Sequence, residues 1–113
     1  MKIFNEVCLK KDFQIVKYLV KDRKFNVNMA VENVFNFETH YNNTVLSNVL
    51  RQMCKKEYDS DEYKEYFRIV EFLIDNGTDL NSTNDLSAHS VLFDVYLKGD
   101  LNMVKYLISK GAN

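Results

Sequence analysis

Three stretches of this chain carry the same apolar signature, and no other feature limits its possible folds as tightly. They read Gln14-Ile-Val-Lys-Tyr-Leu-Val, Arg68-Ile-Val-Glu-Phe-Leu-Ile and Asn102-Met-Val-Lys-Tyr-Leu-Ile. In each, apolar residues fall at i, i+1, i+4 and i+5, as in Met103, Val104, Leu107 and Ile108, which makes one stripe at helical spacing. Gly77 and Gly111 follow the second and third copies, where a left-handed C-terminal cap is wanted. A helix of about ten residues is marginal in water by itself. Three of them must therefore hide their stripes against neighbours, and the chain reads as all-α, built by repetition.

The intervening sequence supplies the neighbours. Residues 2–11 form a first amphipathic helix with Phe4, Val7, Cys8 and also Ile3 expected inward, and Asp12 is placed to cap the helix that carries Ile15, Val16, Leu19 and Val20. The exit at residues 23–28 has no glycine. Residues 29–43, rich in Asn and Phe, read as an extended loop whose aromatics Phe35, Phe37 and Tyr41 fold back onto the stack. A second inner helix follows at residues 44–54, with Leu46, Val49, Leu50 and Met53 at i, i+3, i+4 and i+7. A charged insertion at residues 55–65 either lengthens the flanking helices or forms a polar bulge. Within it, Asp59-Ser60-Asp61-Glu62 reads as the acidic start of the helix that reaches Asp75. A turn at residues 82–89 leads into the last helix pair.

These motifs resemble the ankyrin repeat, whose consensus opens Thr-Pro-Leu-His-x-Ala-Ala and closes Gly-Ala-Asp-Val-Asn over about 33 residues. Ser90-Val-Leu-Phe-Asp-Val-Tyr matches the opening, Gly99-Asp the middle, Met103-Val-Lys-Tyr-Leu-Ile the second helix and Lys110-Gly-Ala-Asn113 the close. Thr44-Val-Leu-Ser-Asn-Val-Leu opens an earlier copy that closes at Gly77-Thr-Asp-Leu-Asn81. The spacing from opening position to second helix is 11 from Phe4 to Ile15, 11 from Leu92 to Met103 and 23 from Leu46 to Ile69, so the middle copy holds twelve extra residues. The resemblance implies one domain, an ankyrin-repeat solenoid of three stacked helix-turn-helix repeats: about 1–36, about 37–82 with the insertion at 55–65, and about 83–113. The openings lack Pro and His, and Val49, Leu50, Val95 and Tyr96 replace the usual Ala pair. These departures predict a less regular and less stable stack. The final copy is of internal type, and arrays need polar terminal repeats. Further repeats beyond Asn113, or self-association at that end, are expected.

Composition narrows the function. A formal net charge of −1 removes steering toward nucleic acid or an anionic membrane, and no segment approaches the roughly 20 apolar residues of a membrane span. Cys8 and Cys54 are isolated and read as small buried hydrophobes in a reducing compartment. Without a leader-like N-terminus, a soluble, cytoplasmic protein is expected, with the nucleus also open. His40 and His89 have no metal-ligand neighbours, and no nucleophile elbow, dinucleotide or phosphate loop is present. The acids Asp59, Asp61, Glu62 and Glu65 lack the glycine and alternate spacing of a calcium loop.

The expectation is a non-catalytic protein-interaction module that needs no cofactor. The resemblance places partner contacts on turn tips and inner helices. The matching positions are His40, Tyr41, Asn43, Arg51 and Gln52 in the middle copy, and Leu86, Ser87, His89, Leu97 and Lys98 in the last. The alternative is a structural spacer or regulatory segment of a longer repeat protein.

Overall fold

Helices form where the apolar periodicity places them. The structure, a computed structural model, describes residues 2–28, 44–81 and 91–112. Among the described residues there are six α-helices and no strand: α1 Lys2–Leu9, α2 Phe13–Lys17, α3 Val45–Met53, α4 Asp61–Asp75, α5 Val91–Lys98 and α6 Leu101–Ser109. The expected loop at 29–43, with Phe35, Phe37 and Tyr41, and the turn at 82–89 lie outside the described residues.

Short polar side chains set the helix starts. Asp12 and Asp100 accept from the backbone N–H groups of Ile15 (3.2 Å) and Met103 (3.1 Å). Thr44 and Ser47 form a reciprocal capping box at α3, and Ser60 accepts from the Tyr63 N–H at α4. Glycine sets two of the ends. Gly77 (φ 99°) and Gly111 (φ 107°) take the left-handed position of paired 6→1 and 5→2 bonds, with the Thr78 and Ala112 N–H groups reaching back to Leu73 and Leu107.

The first pair makes the same turns without glycine. Lys11 (φ 62°) and Lys24 (φ 58°) hold the left-handed positions there. Its exit is also one residue longer, and α2 absorbs the extra residue by passing into a π-helical turn, Tyr18–Asp22. The insertion resolves into a turn at residues 54–60 and a longer α4, which begins six residues ahead of Phe67, the position matching Phe13 and Leu101.

Packing follows one rule in all three pairs. α3 lies between α1 and α5, and α4 packs on α3 and α2, with each inner helix against its own partner. Every helix offers two adjacent apolar ridges. A rear ridge comprises Ile3/Val7, Val45/Val49 and Val91/Val95 on the inner helices, and Ile15/Leu19, Ile69/Leu73 and Met103/Leu107 on the outer ones. The front ridge is displaced by one residue: Phe4/Cys8, Leu46/Leu50 and Leu92/Tyr96, then Val16/Val20, Val70/Ile74 and Val104/Ile108. Rear ridges are buried in the second and third pairs, while in the first Ile3 and Ile15 are exposed and Val7 and Leu19 half-buried. Front ridges are covered in the first two pairs, with Ile74 half-buried, while in the third Tyr96 and Ile108 are exposed and Leu92 and Val104 half-buried. Ile15, Ile69 and Ile108 illustrate the outcome at 44%, 0% and 54% exposure.

Side-chain ladders repeat with the same period. Phe13 meets Phe72 edge-on at 5.5 Å, and Phe67 meets Tyr106 at 5.0 Å, each one pair further along. The exit asparagines do likewise. Asn28 Nδ2 donates to the Gly77 carbonyl (3.1 Å), and Asn81 Nδ2 donates to that of Gly111 (3.3 Å). The residues expected to crowd the pairs mostly fit: Val49, Leu50 and Val95 are buried, while Tyr96 points outward.

Candidate interaction surface

Four of the ten expected partner-binding residues fall among the described residues. His40, Tyr41, Asn43, Leu86, Ser87 and His89 lie outside them. Gln52 is half-buried at the end of α3, and Leu97 and Lys98 are exposed at the end of α5. The structure places Arg51 differently from a free surface anchor. Its side chain is 13% exposed and its guanidinium lies 3.7 Å from the buried Asp94 carboxylate.

That pair belongs to a polar row across the inner helices. Asn48 Nδ2 donates to Asn5 Oδ1 (3.4 Å), the Arg51 guanidinium donates to Asn48 Oδ1, and Arg51 meets Asp94. The row ties α1 to α3 and α3 to α5. Removing one member of such a buried pair is destabilising, because the other keeps the cost of having been taken out of water.

The lengthened α4 braces both neighbours at their outer turns. Tyr66 Oη donates to the Leu9 carbonyl (3.2 Å), and the Lys11 ammonium lies 5.2 Å from the centre of the Tyr66 ring. On the other side Tyr63 Oη donates to Asp100 Oδ2 at 2.6 Å, and the Cys54 thiol approaches the same oxygen at 3.8 Å. Burial first, then the Asp100 bond, holds the Tyr63 phenol well above its ordinary value. Burial, then the Asp100 charge, pushes the Cys54 thiol up to about 12. Both groups stay protonated donors at neutral pH. Sequence reasoning missed both tyrosines: it counts Tyr63 in the charged insertion and starts the apolar face of the following helix at Phe67. Their signal was present, since 63, 66, 70 and 73 continue one helical stripe into the buried part of α4.

Between α4 and α6 the insertion opens a cavity of about 210 Å³ lined by Tyr58, Tyr63, Phe67, Met103 and Tyr106, with Asp59 in its wall. Lys64 also lines it and pairs with Asp59 at 3.8 Å, so the aromatic walls suit an apolar side chain. Among the described residues no group of three His, Cys, Asp or Glu side chains is placed to hold a metal ion, and no helix is long and apolar enough to cross a membrane.

Exposed large apolar side chains gather on the first and third helix pairs. Nine large apolar side chains are exposed among the described residues. Ile3, Ile15 and Tyr18 belong to the first pair. Phe93, Tyr96, Leu97, Leu101 and Ile108 belong to the third, and the ninth, Tyr58, sits on the insertion. No protein-family model, curated protein or solved structure matches the chain.

Proposed function

We propose that the chain is an ankyrin-like stack of three helix pairs that works as a non-catalytic protein-binding module. The observation that carries this reading is the shared burial register, in which equivalent positions of successive pairs are covered by the next pair in line. A stack of that kind presents its inner helices and turn tips as one continuous surface, and its work is done by shape and side-chain complementarity. On the described part of that surface the contact residues are Gln52 and Lys98, with Leu97 at the rim. Arg51 contributes by holding α3 to α5 through Asp94, which fixes the spacing a partner would read.

The test is a double substitution, Gln52→Ala with Lys98→Glu. Proteins captured by the wild-type chain are identified, purified and titrated against both forms. At least a tenfold loss of affinity at unchanged helicity supports the module. Equal binding by both forms, or no saturable partner at all, favours a spacer.

A further inference from the structure

We propose that copies of this chain stack head to tail, with the open front ridge of one covered by the open rear ridge of the next. The proposal rests on the stacked-pair reading above but not on the identity of any partner. Its basis is that the chain carries both halves of one interface and uses that interface twice internally.

The internal version is fully visible. The front ridge of the first pair (Phe4/Cys8, Val16/Val20) meets the rear ridge of the second through α1 on α3 and α2 on α4, and the second pair meets the third through α3 on α5, with Phe67 on Tyr106 joining α4 to α6. Residues at these contacts are buried almost without exception. What remains exposed is Tyr96 and Ile108 on the front of the third pair and Ile3 and Ile15 on the rear of the first, each beside two half-buried ridge residues.

These two faces are equivalent to the covered ones, position by position. Tyr96 and Ile108 stand where Leu50 and Ile74 stand in the second pair. Ile3 and Ile15 stand where Val45 and Ile69 stand, which are 1% and 0% exposed.

The outer-layer ladder gives an independent register. Phe13 packs on Phe72 and Phe67 on Tyr106. The next member of the first series is Leu101 and the member preceding the second is Tyr18, and both are exposed. Stacking a second copy at the same register sets Leu101 of one chain against Tyr18 of the other. It also covers the exposed apolar side chains Ile3, Ile15, Tyr96 and Ile108. Of the nine exposed apolar side chains, Tyr58 on the insertion and Phe93 and Leu97 on α5 lie outside this contact. Because the two faces differ, the contact is heterologous and does not close on a dimer.

The asymmetry supplies the test. One variant blocks the rear face (Ile15→Asp with Tyr18→Asp), and another blocks the front (Leu101→Asp with Ile108→Asp). Each substituted side chain is already exposed, so helicity by circular dichroism should be kept. If either loses it, Ile3→Lys or Tyr96→Lys replaces it. Mass is followed by sedimentation velocity from about 1 µM to about 200 µM, the range in which a micromolar contact populates. The wild type is expected to grow progressively with concentration, and each blocked variant to stay monomeric. A one-to-one mixture of the two variants should stop at the dimer, through the single intact front and the single intact rear. A wild type that stays monomeric throughout overturns the proposal, as does a mixture without dimers. So does self-association by a variant keeping only one face. None of these outcomes touches Gln52 or Lys98, so a failure here is separable from a failure of partner binding.

Discussion

Asp100 shows how much one side chain can be asked to do at a helix start. Its Oδ1 caps α6 through the Met103 N–H, while its Oδ2 takes the Tyr63 hydroxyl and the Cys54 thiol. Asp12, the matching residue of the first pair, makes only the cap. Asp12→Ala should therefore cost about 1 kcal/mol, the ordinary value of a lost N-cap. Asp100→Ala should cost about 2–4 kcal/mol, since the Tyr63 hydroxyl is then left buried without its acceptor. Urea midpoints of the two variants check the difference. Cys8 offers a pH test. Burial pushes its thiol from an ordinary 9.0 up to about 12, so above pH 9 the unfolded thiol ionises while the folded one does not. The folded state then binds more protons, and stability falls as pH rises from 9 toward 12, by at most about 1.4 kcal/mol per pH unit from this group. The stability gap between wild type and Cys8→Ala should narrow over that range. A gap independent of pH would show that the thiol is not shielded.

At the scale of the helix, identical sequence positions have unequal energetic weight. Ile15 and Ile69 occupy the same place in the repeated motif, yet one is 44% exposed and the other fully buried. Ile69→Ala is expected to cost about 2–5 kcal/mol through lost transfer energy and the cavity left behind. Ile15→Ala should stay within about 1 kcal/mol in the isolated chain. Thermal and urea denaturation of the two variants decide it, and equal costs would refute the assigned stacking order. The helices were legible because their apolar period is local. Their ends were less so. The missing glycine at the first exit was plain in the sequence, but the remedy was not: a π-helical turn with Lys24 in the left-handed region. Such a turn is selected by the need to bring Val27 and Asn28 back into line with the next pair, and that is a tertiary demand.

Taken whole, the described residues form an all-helical globule of three helix pairs, with a brace from α4 in its middle. Tyr63 and Tyr66 reach the turns of both neighbours from one lengthened helix, so the insertion couples all three pairs. Under the head-to-tail proposal stability follows mass action, because a face buried only in the assembled state stabilises the fold according to its occupancy. The melting temperature of the wild type should rise by a few degrees over a hundredfold increase in concentration. That of the Leu101→Asp, Ile108→Asp variant should not, and differential scanning calorimetry reads both.

The helices and the polar starts at Asp12 and Thr44 were determined by sequence alone, because each depends on neighbours within about five positions along the chain. Which ridge of each helix is covered was decided only in three dimensions. The motif bears four apolar positions in every copy, and a pattern repeated identically cannot say which copy stands at an end. The same holds for Arg51, whose place in the sequence suggested a solvent-facing anchor. Asp94, forty-three positions away, turns its guanidinium inward instead. An ion pair between separate helices exists only once packing has brought them side by side.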